Sequence, residues 1–193
     1  MENQIIVHEV LHSFKTCETK PGLMAIKLDL QKAYDRVNWS FLNAVLLHFG
    51  FNETFTGWIM ACVSSISFEV IVNGGKSECF KPSRGLRQGD LLSPYLFILG
   101  QEVLSRFIEH ELRLKNVVGI KTSINGPTIS HVMYADDVVL FSKASRKDAE
   151  SLMRTLEKYC GGWAKPSTEA SQVYFSLSIP KVILVGPSKA SSK

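Results

Sequence analysis

Three carboxylates stand where the surrounding sequence is apolar. Asp136 and Asp137 interrupt HVMYADDVVLF (131–141), and Asp29 lies at the exit of LMAIKLDL (23–30). Side chains of a regular strand alternate between faces, so two adjacent aspartates cannot both point one way from it. A tight turn at 135–137 removes the difficulty: VMY and VVLF become two arms of a hairpin with the pair at its tip, solvated or bound to a cation rather than buried unpaired. Aspartate is a favoured turn residue, and the pair alone would be read as a polar β-turn. Asp29 changes the balance, because neighbouring strand ends would gather three carboxylates, and like charges in one place need a cation. Mg²⁺ suits such a set, since it takes hard oxygen ligands, keeps several waters and is held by few carboxylates. Two such ions about 4 Å apart can activate an attacking hydroxyl and steady the leaving oxygen of a phosphoryl or nucleotidyl transfer. The residues by themselves thus reach a carboxylate metal site on a sheet.

The rest of the composition narrows the class. The 193 residues, 45% hydrophobic and 21% charged, suffice for one sizeable core, and one compact domain is expected. A net charge of +4 permits nucleic acid without demanding it. Cys17, Cys62, Cys79 and Cys160 are widely spaced, with no CxxC pair and no histidine cluster, so neither a zinc site nor a disulfide framework is expected, and a reducing, intracellular compartment fits. Glu9, His8 and His12 break the apolar pattern of the N-terminus, which therefore reads as neither signal peptide nor membrane span.

The elements that must position the carboxylates follow from periodicity. Ile6, Val10, Leu11 and Phe14 predict a helix over 3–15, and 23–30 a buried strand ending at Asp29. A helix with Phe41, Leu42, Val45, Leu46 and Phe49 on one side starts at an Asn38 or Ser40 cap and stops at Gly50; another covers 53–64. Alternation at Ile66, Phe68, Val70 and Val72 before AsnGlyGly predicts a hairpin, 82–90 a loop, and 93–114 a long helix capped by Ser93 with Pro94 following. VVGIKTSI and TISHVMY flank a second turn, VVLFS continues as a strand, and 146–160 is a helix with Leu152, Leu156 and Tyr159 on one side. From Gly161 the chain is rich in Ser, Pro and Lys, with short strands expected only at VYFSL and KVILV and a frayed tail. Helices alternating with antiparallel hairpins argue an α+β fold, with helices on one face of the sheet.

Three stretches in order, KLDLQKAYDRVNW (27–39), GLRQGDLLSPYLFIL (85–99) and YADDVVLF (134–141), resemble palm motifs A, B and C of the reverse transcriptases of non-LTR (LINE-type) retrotransposons, plant elements most closely. ENQIIVHEVLHSF (2–14) is similar to the segment ahead of motif A. The resemblance covers roughly residues 2–160. It implies a right-hand polymerase palm with partial fingers over 1–160, no thumb, and a degenerate motif D region with a flexible tail over 161–193. It implies that Asp29, Asp136 and Asp137 hold two Mg²⁺ ions, or Mn²⁺, with help from the Leu30 carbonyl. It makes Tyr34, five residues after Asp29, a steric gate against a ribose 2′-OH, and Gln88 and Gly89 the lining of the nucleotide and template pocket. Lys32, Asp35, Arg36 and Arg87 match supporting positions, Asp35 being expected to pair with Arg36 or Lys32. The implied partners are an RNA template, a DNA primer and deoxynucleoside triphosphates, without a membrane, and the family's nuclear location is expected.

The pattern departs from the family after motif C. In YCGGWAKPSTEASQVYFS (159–176), Ala170-Ser171 stands where Lys-Ser is usual, and Lys165, beside Pro166, is a poor substitute for the motif D lysine. The alternative to an RNA-directed DNA polymerase is accordingly an inactive relic that at most binds nucleic acid. A nucleotide cyclase of similar carboxylate geometry is a weaker reading, having no use for RQGDLLSP.

Overall fold

A computed structural model describes residues 2–16, 22–30, 32–123, 125–163 and 181–185. In chain order its elements are α1 (Glu2–Thr16), β1 (Leu23–Asp29), α2 (Trp39–His48), α3 (Glu53–Ser64), β2 (Ile71–Val72), β3 (Gly75–Lys76), α4 (Ser93–Arg113), β4 (Ile120–Lys121), β5 (Thr128–Ile129), β6 (His131–Tyr134), β7 (Asp137–Lys143), α5 (Arg146–Trp163) and β8 (Lys181–Val185). They group into two compact units. One comprises Met1–Gln31, Leu104–Lys158 and Ser171–Lys193; the other comprises Lys32–Val103 and Tyr159–Ala170.

The first unit is built on an antiparallel sheet in the order β6-β7-β1-β8. Its two central strands, LMAIKLD and DVVLFSK, read as nearly unbroken apolar runs because both faces are covered along most of their length. On one face Met24, Ile26 and Leu28 share the ladder with Val138 and Leu140, all buried. Leu104 and Ile108 of α4 and Leu152 and Leu156 of α5 are the unit's main remaining buried aliphatics and match that face in character. The other face carries Leu23, Ala25 and Phe141, which form one cluster with Val10 of α1 and Ile120 of β4. This second cover ends at Lys27 and Asp137, both about half exposed. The sheet is therefore sealed at one end of β1 and open at the other.

Local chemistry sets the element ends. Ser145 accepts from the Asp148 amide at 3.1 Å while its hydroxyl donates back to the Asp148 carboxylate, a reciprocal cap at the start of α5. The same carboxylate accepts from the Val118 amide at 2.7 Å, tying the β4 approach to α5 although Asp148 is buried.

In the second unit Asn38 caps α2 by accepting from Ser40 and Phe41, Gly50 follows its C-cap with φ +90°, and Asn52 caps α3. Asp90 takes the capping role that the sequence assigned to Ser93: its carboxylate accepts from the Ser93 amide at 3.2 Å and hydroxyl at 3.0 Å, and Ser93 is already helical. The hairpin after α3 is shorter than its alternation suggests. Only 71–72 pair with 75–76, across an Asn73-Gly74 turn with φ +52° and +81°, and Phe68 and Phe80 form an isolated bridge. Phe68, Val70, Ile71 and Val72 are all exposed, and a two-stranded ribbon with no layer beneath it is marginal.

The helix expected at 146–160 runs on to Trp163, and KVILV is β8, an edge partner of β1. VYFSL lies outside the described residues, as do Lys165 and the rest of the altered motif D stretch to Ser176. Among the described residues no helix is long and apolar enough to cross a membrane.

Candidate active site

The ladder register brings the carboxylate positions together. Asp29, last residue of β1, is paired with Asp137, first residue of β7, and Asp137 is paired on its other side with Tyr134. Cα atoms of directly opposed residues in an antiparallel pair lie ~4.5–5.5 Å apart. Tyr134 and Asp137 close a two-residue turn of Ala135 and Asp136, in which only Ala135 has positive φ, +50°. A positive φ at the first central position of a tight hairpin turn is what glycine favours, and alanine is held there by the pairing on either side. The Leu30 amide donates to the Asp136 carbonyl at 3.4 Å, joining the exit of β1 to the turn.

The sequence expectation of a turn carrying both aspartates at its tip is half met. Asp136 occupies the loop, whereas Asp137 belongs to the strand. This is what puts Asp137 in register with Asp29.

Two acidic residues directly opposed in a sheet destabilise it unless a positive charge intervenes. Lys27 supplies one. Its Nζ lies 2.9 Å from Asp137 Oδ1, and as the residue two before Asp29 it belongs to the same face of β1. Sequence reasoning passed over Lys27, although a lysine inside an otherwise apolar strand was a usable signal. Among the described residues no three His, Cys, Asp or Glu side chains converge as a metal-binding group. The fit to a cation therefore rests on the register, on the oxygen-only character of Asp29, Leu30, Asp136 and Asp137, and on the ammonium that already sits against Asp137. Such a set suits a hard divalent ion.

The other candidates belong to the second unit. Residues 32–36 form a turn that opens with Lys32 at φ +52° and is closed by the Arg36 amide donating to the Lys32 carbonyl at 3.1 Å. Tyr34 is half-buried, its ring stacked on that of Phe97 with centroids 4.6 Å apart and planes 13° from parallel. Arg87, Gln88 and Gly89 are exposed in the loop before α4. Gly89 has φ +82°, and a Cβ there would meet nothing within 4 Å, so the backbone conformation rather than crowding calls for glycine. The expected pairing of Asp35 is absent: no ion pair joins it to Lys32 or Arg36 among the described residues. Its carboxylate is exposed, and the part that packs is its backbone, against Gly85.

A protein-family model described as reverse transcriptase (RNA-dependent DNA polymerase) matches residues 3–165. The chain is 29% identical over 160 residues to a retrovirus-related Pol polyprotein from the type-2 retrotransposable element R2DM of Drosophila melanogaster, covering 81% of this chain and 14% of that protein. It is 51% identical over 67 residues to an uncharacterized mitochondrial protein of Arabidopsis thaliana, covering 35% of this chain and 55% of that one. The chain therefore spans only part of these relatives, about a seventh in the Drosophila case. Among solved structures, telomerase from Candida albicans in complex with a fragment of telomeric RNA matches 99% of this chain and 30% of its own, with TM-score 0.61 and 13% identity. Apo telomerase from Candida tropicalis gives 0.59 at 16% identity, over 98% of this chain and 35% of its own. At these identities the likeness is one of fold, a partial palm.

Proposed function

The chain belongs to the reverse transcriptase family, with relatives among the Pol proteins of non-LTR retrotransposons, and on that footing we propose that it polymerises DNA on an RNA template by two-metal nucleotidyl transfer. The observation that carries the proposal is the register of Asp29 opposite Asp137 with Asp136 in the adjoining turn. Asp29, Asp136 and Asp137, with the Leu30 carbonyl, would hold two Mg²⁺ ions, Mn²⁺ serving in their place. Bound there, the ions would lower the pKa of a primer 3′-hydroxyl and would offset the charge that builds on the α-phosphate and the departing pyrophosphate.

The protein's own groups do the rest. Asp137 would release the Lys27 ammonium to hold the cation, at small cost because both side chains are half exposed. Tyr34, backed by Phe97, crowds a ribose 2′-OH and so favours deoxynucleotides. Gln88 offers both donor and acceptor to the nucleotide or template, and Gly89 permits close backbone approach. Arg87, Lys32 and Arg36 supply positive charge suited to phosphates, while Asp35 contributes backbone.

Primer extension on poly(rA)/oligo(dT) with dTTP and Mg²⁺ tests this reading. Incorporation by the wild type that is abolished in an Asp136→Asn, Asp137→Asn double variant supports it. Incorporation unaltered in that variant refutes it, and primer–template binding with no wild-type incorporation favours the relic.

A further inference from the structure

The loop between β3 and α4 is held to the motif A turn by a short set of bonds, all within the second unit. The Gly85 amide donates to the Val37 carbonyl and the Leu86 amide to the Tyr34 carbonyl, each at 2.8 Å. The indole Nε1–H of Trp39 donates to the Gly85 carbonyl, also at 2.8 Å. Gly85 is thus bonded through both its amide and its carbonyl, and by two residues of the same segment. Its backbone is at φ +95°, and a Cβ there would lie 2.9 Å from the Asp35 carbonyl oxygen and 3.2 Å from two further Asp35 backbone atoms. Only glycine allows the two strands of backbone to come this close. Ala33, Val37 and Leu86 close the junction from water.

This junction lies between the two parts of the proposed nucleotide pocket. Tyr34 is fixed twice, by its carbonyl to Leu86 and by its ring to the buried Phe97. Gln88 and Gly89 follow Gly85 by three and four residues, in an exposed loop. Trp39 is the first residue of α2, immediately after the Asn38 cap, so its indole is carried on a capped helix terminus. The donor therefore stands on a helix end and is bonded to the glycine where the loop crosses the turn.

We propose that Trp39 is a positioning residue for sugar discrimination: by holding the Gly85 carbonyl it sets the spacing between Tyr34 and the Gln88-Gly89 loop, and so the stringency against ribonucleotides. The inference rests on the polymerase reading above. Trp39 touches no substrate in this scheme and acts through Gly85.

The test measures kcat and KM for dTTP and UTP on poly(rA)/oligo(dT) with the full chain, comparing wild type, Trp39→Phe, and a chain with benzothienylalanine at position 39, which replaces the indole N–H by sulfur at nearly unchanged shape. Amide hydrogen exchange at Gly85 and Leu86 is followed in parallel. The expected result is a fall of at least fivefold in the dTTP-over-UTP ratio of kcat/KM, arising mainly in the KM values. Exchange at Gly85 and Leu86 should be at least tenfold faster while β1 and β7 amides keep their rates. A general loss of fold would instead lower kcat for both nucleotides together and speed exchange in the sheet. If the wild type extends primers and the benzothienyl chain keeps its discrimination, or if Leu86 exchange is unmoved, the inference is overturned alone. A wild type that incorporates neither nucleotide overturns the polymerase reading, and the inference with it.

Discussion

Replacing Lys27 by methionine keeps most of the side chain's length while removing the ammonium that sits against Asp137. The pair is 2.9 Å apart and both partners are 52% exposed, so it contributes at most ~1 kcal/mol to folding. Its loss also leaves Asp137, whose register partner is Asp29, without the Lys27 charge. In metal-free buffer Lys27→Met should therefore lower stability by ~0.5–1 kcal/mol. Metal binding should change in the opposite direction. A divalent ion ~5 Å from an ammonium is repelled by ~1–2 kcal/mol once a water-like dielectric and physiological salt are allowed for. Removing the ammonium should then tighten Mn²⁺ binding roughly 5- to 30-fold, since 1.4 kcal/mol is a factor of ten. Mn²⁺ titration followed by electron paramagnetic resonance reads the affinity, and urea unfolding with and without Mn²⁺ reads the stability. A variant that is less stable without metal and tighter for Mn²⁺ bears out the exchange of Lys27 for a cation. Unchanged or weaker Mn²⁺ binding would refute it, because a cation at Asp137 cannot be indifferent to a neighbouring charge.

Gly85→Ala combines a left-handed backbone with a Cβ 2.9 Å from the Asp35 carbonyl oxygen; urea unfolding should show a loss of ~2–4 kcal/mol. Asp148→Ala removes the cap of α5 and strands the Val118 amide, and should cost ~2–3 kcal/mol in the same assay, whereas an exposed Glu150→Ala should cost under ~0.5 kcal/mol. Burial, aided by the neighbouring Cys160, raises the Tyr159 phenol well above its ordinary value near 10. The folded state then binds the proton more tightly than the unfolded state, so stability should fall as pH rises above about 10. Thermal melts across pH 9–11 should show that alkaline decline in the wild type and a flatter limb in Tyr159→Phe.

The parts of the fold that could be read from sequence are those where one local signal decides. Asn38 and Gly50 delimit α2 because caps and left-handed glycines act within a few residues. The hairpin after α3 shows the limit: Ile66 to Val72 has the alternation of a strand, yet alternation only says which residues share a face, and Phe68, Val70 and Val72 on that face stay exposed. The pairing of Asp29 with Asp137 depended on strands more than a hundred residues apart choosing each other and a register, which no local pattern specifies. The motifs did name these residues as one group. What they left out was held by long-range geometry: Lys27 on Asp137, Trp39 on Gly85, and Phe97 under Tyr34. Asp35 shows the opposite error, since its type suggested an ion pair while its backbone does the packing.

Anomalous diffraction from crystals of the chain soaked in Mn²⁺ with primer–template and a non-hydrolysable deoxynucleoside triphosphate would show the cation site directly. Mn²⁺ peaks are expected within coordination distance of Asp29, Asp136 and Asp137, with Lys27 moved off Asp137, and no such peaks in the Asp136→Asn, Asp137→Asn variant. Peaks only elsewhere, or a wild type whose Asp137 keeps the Lys27 ammonium with no metal beside it, would contradict the claim that this strand pair is a cation site.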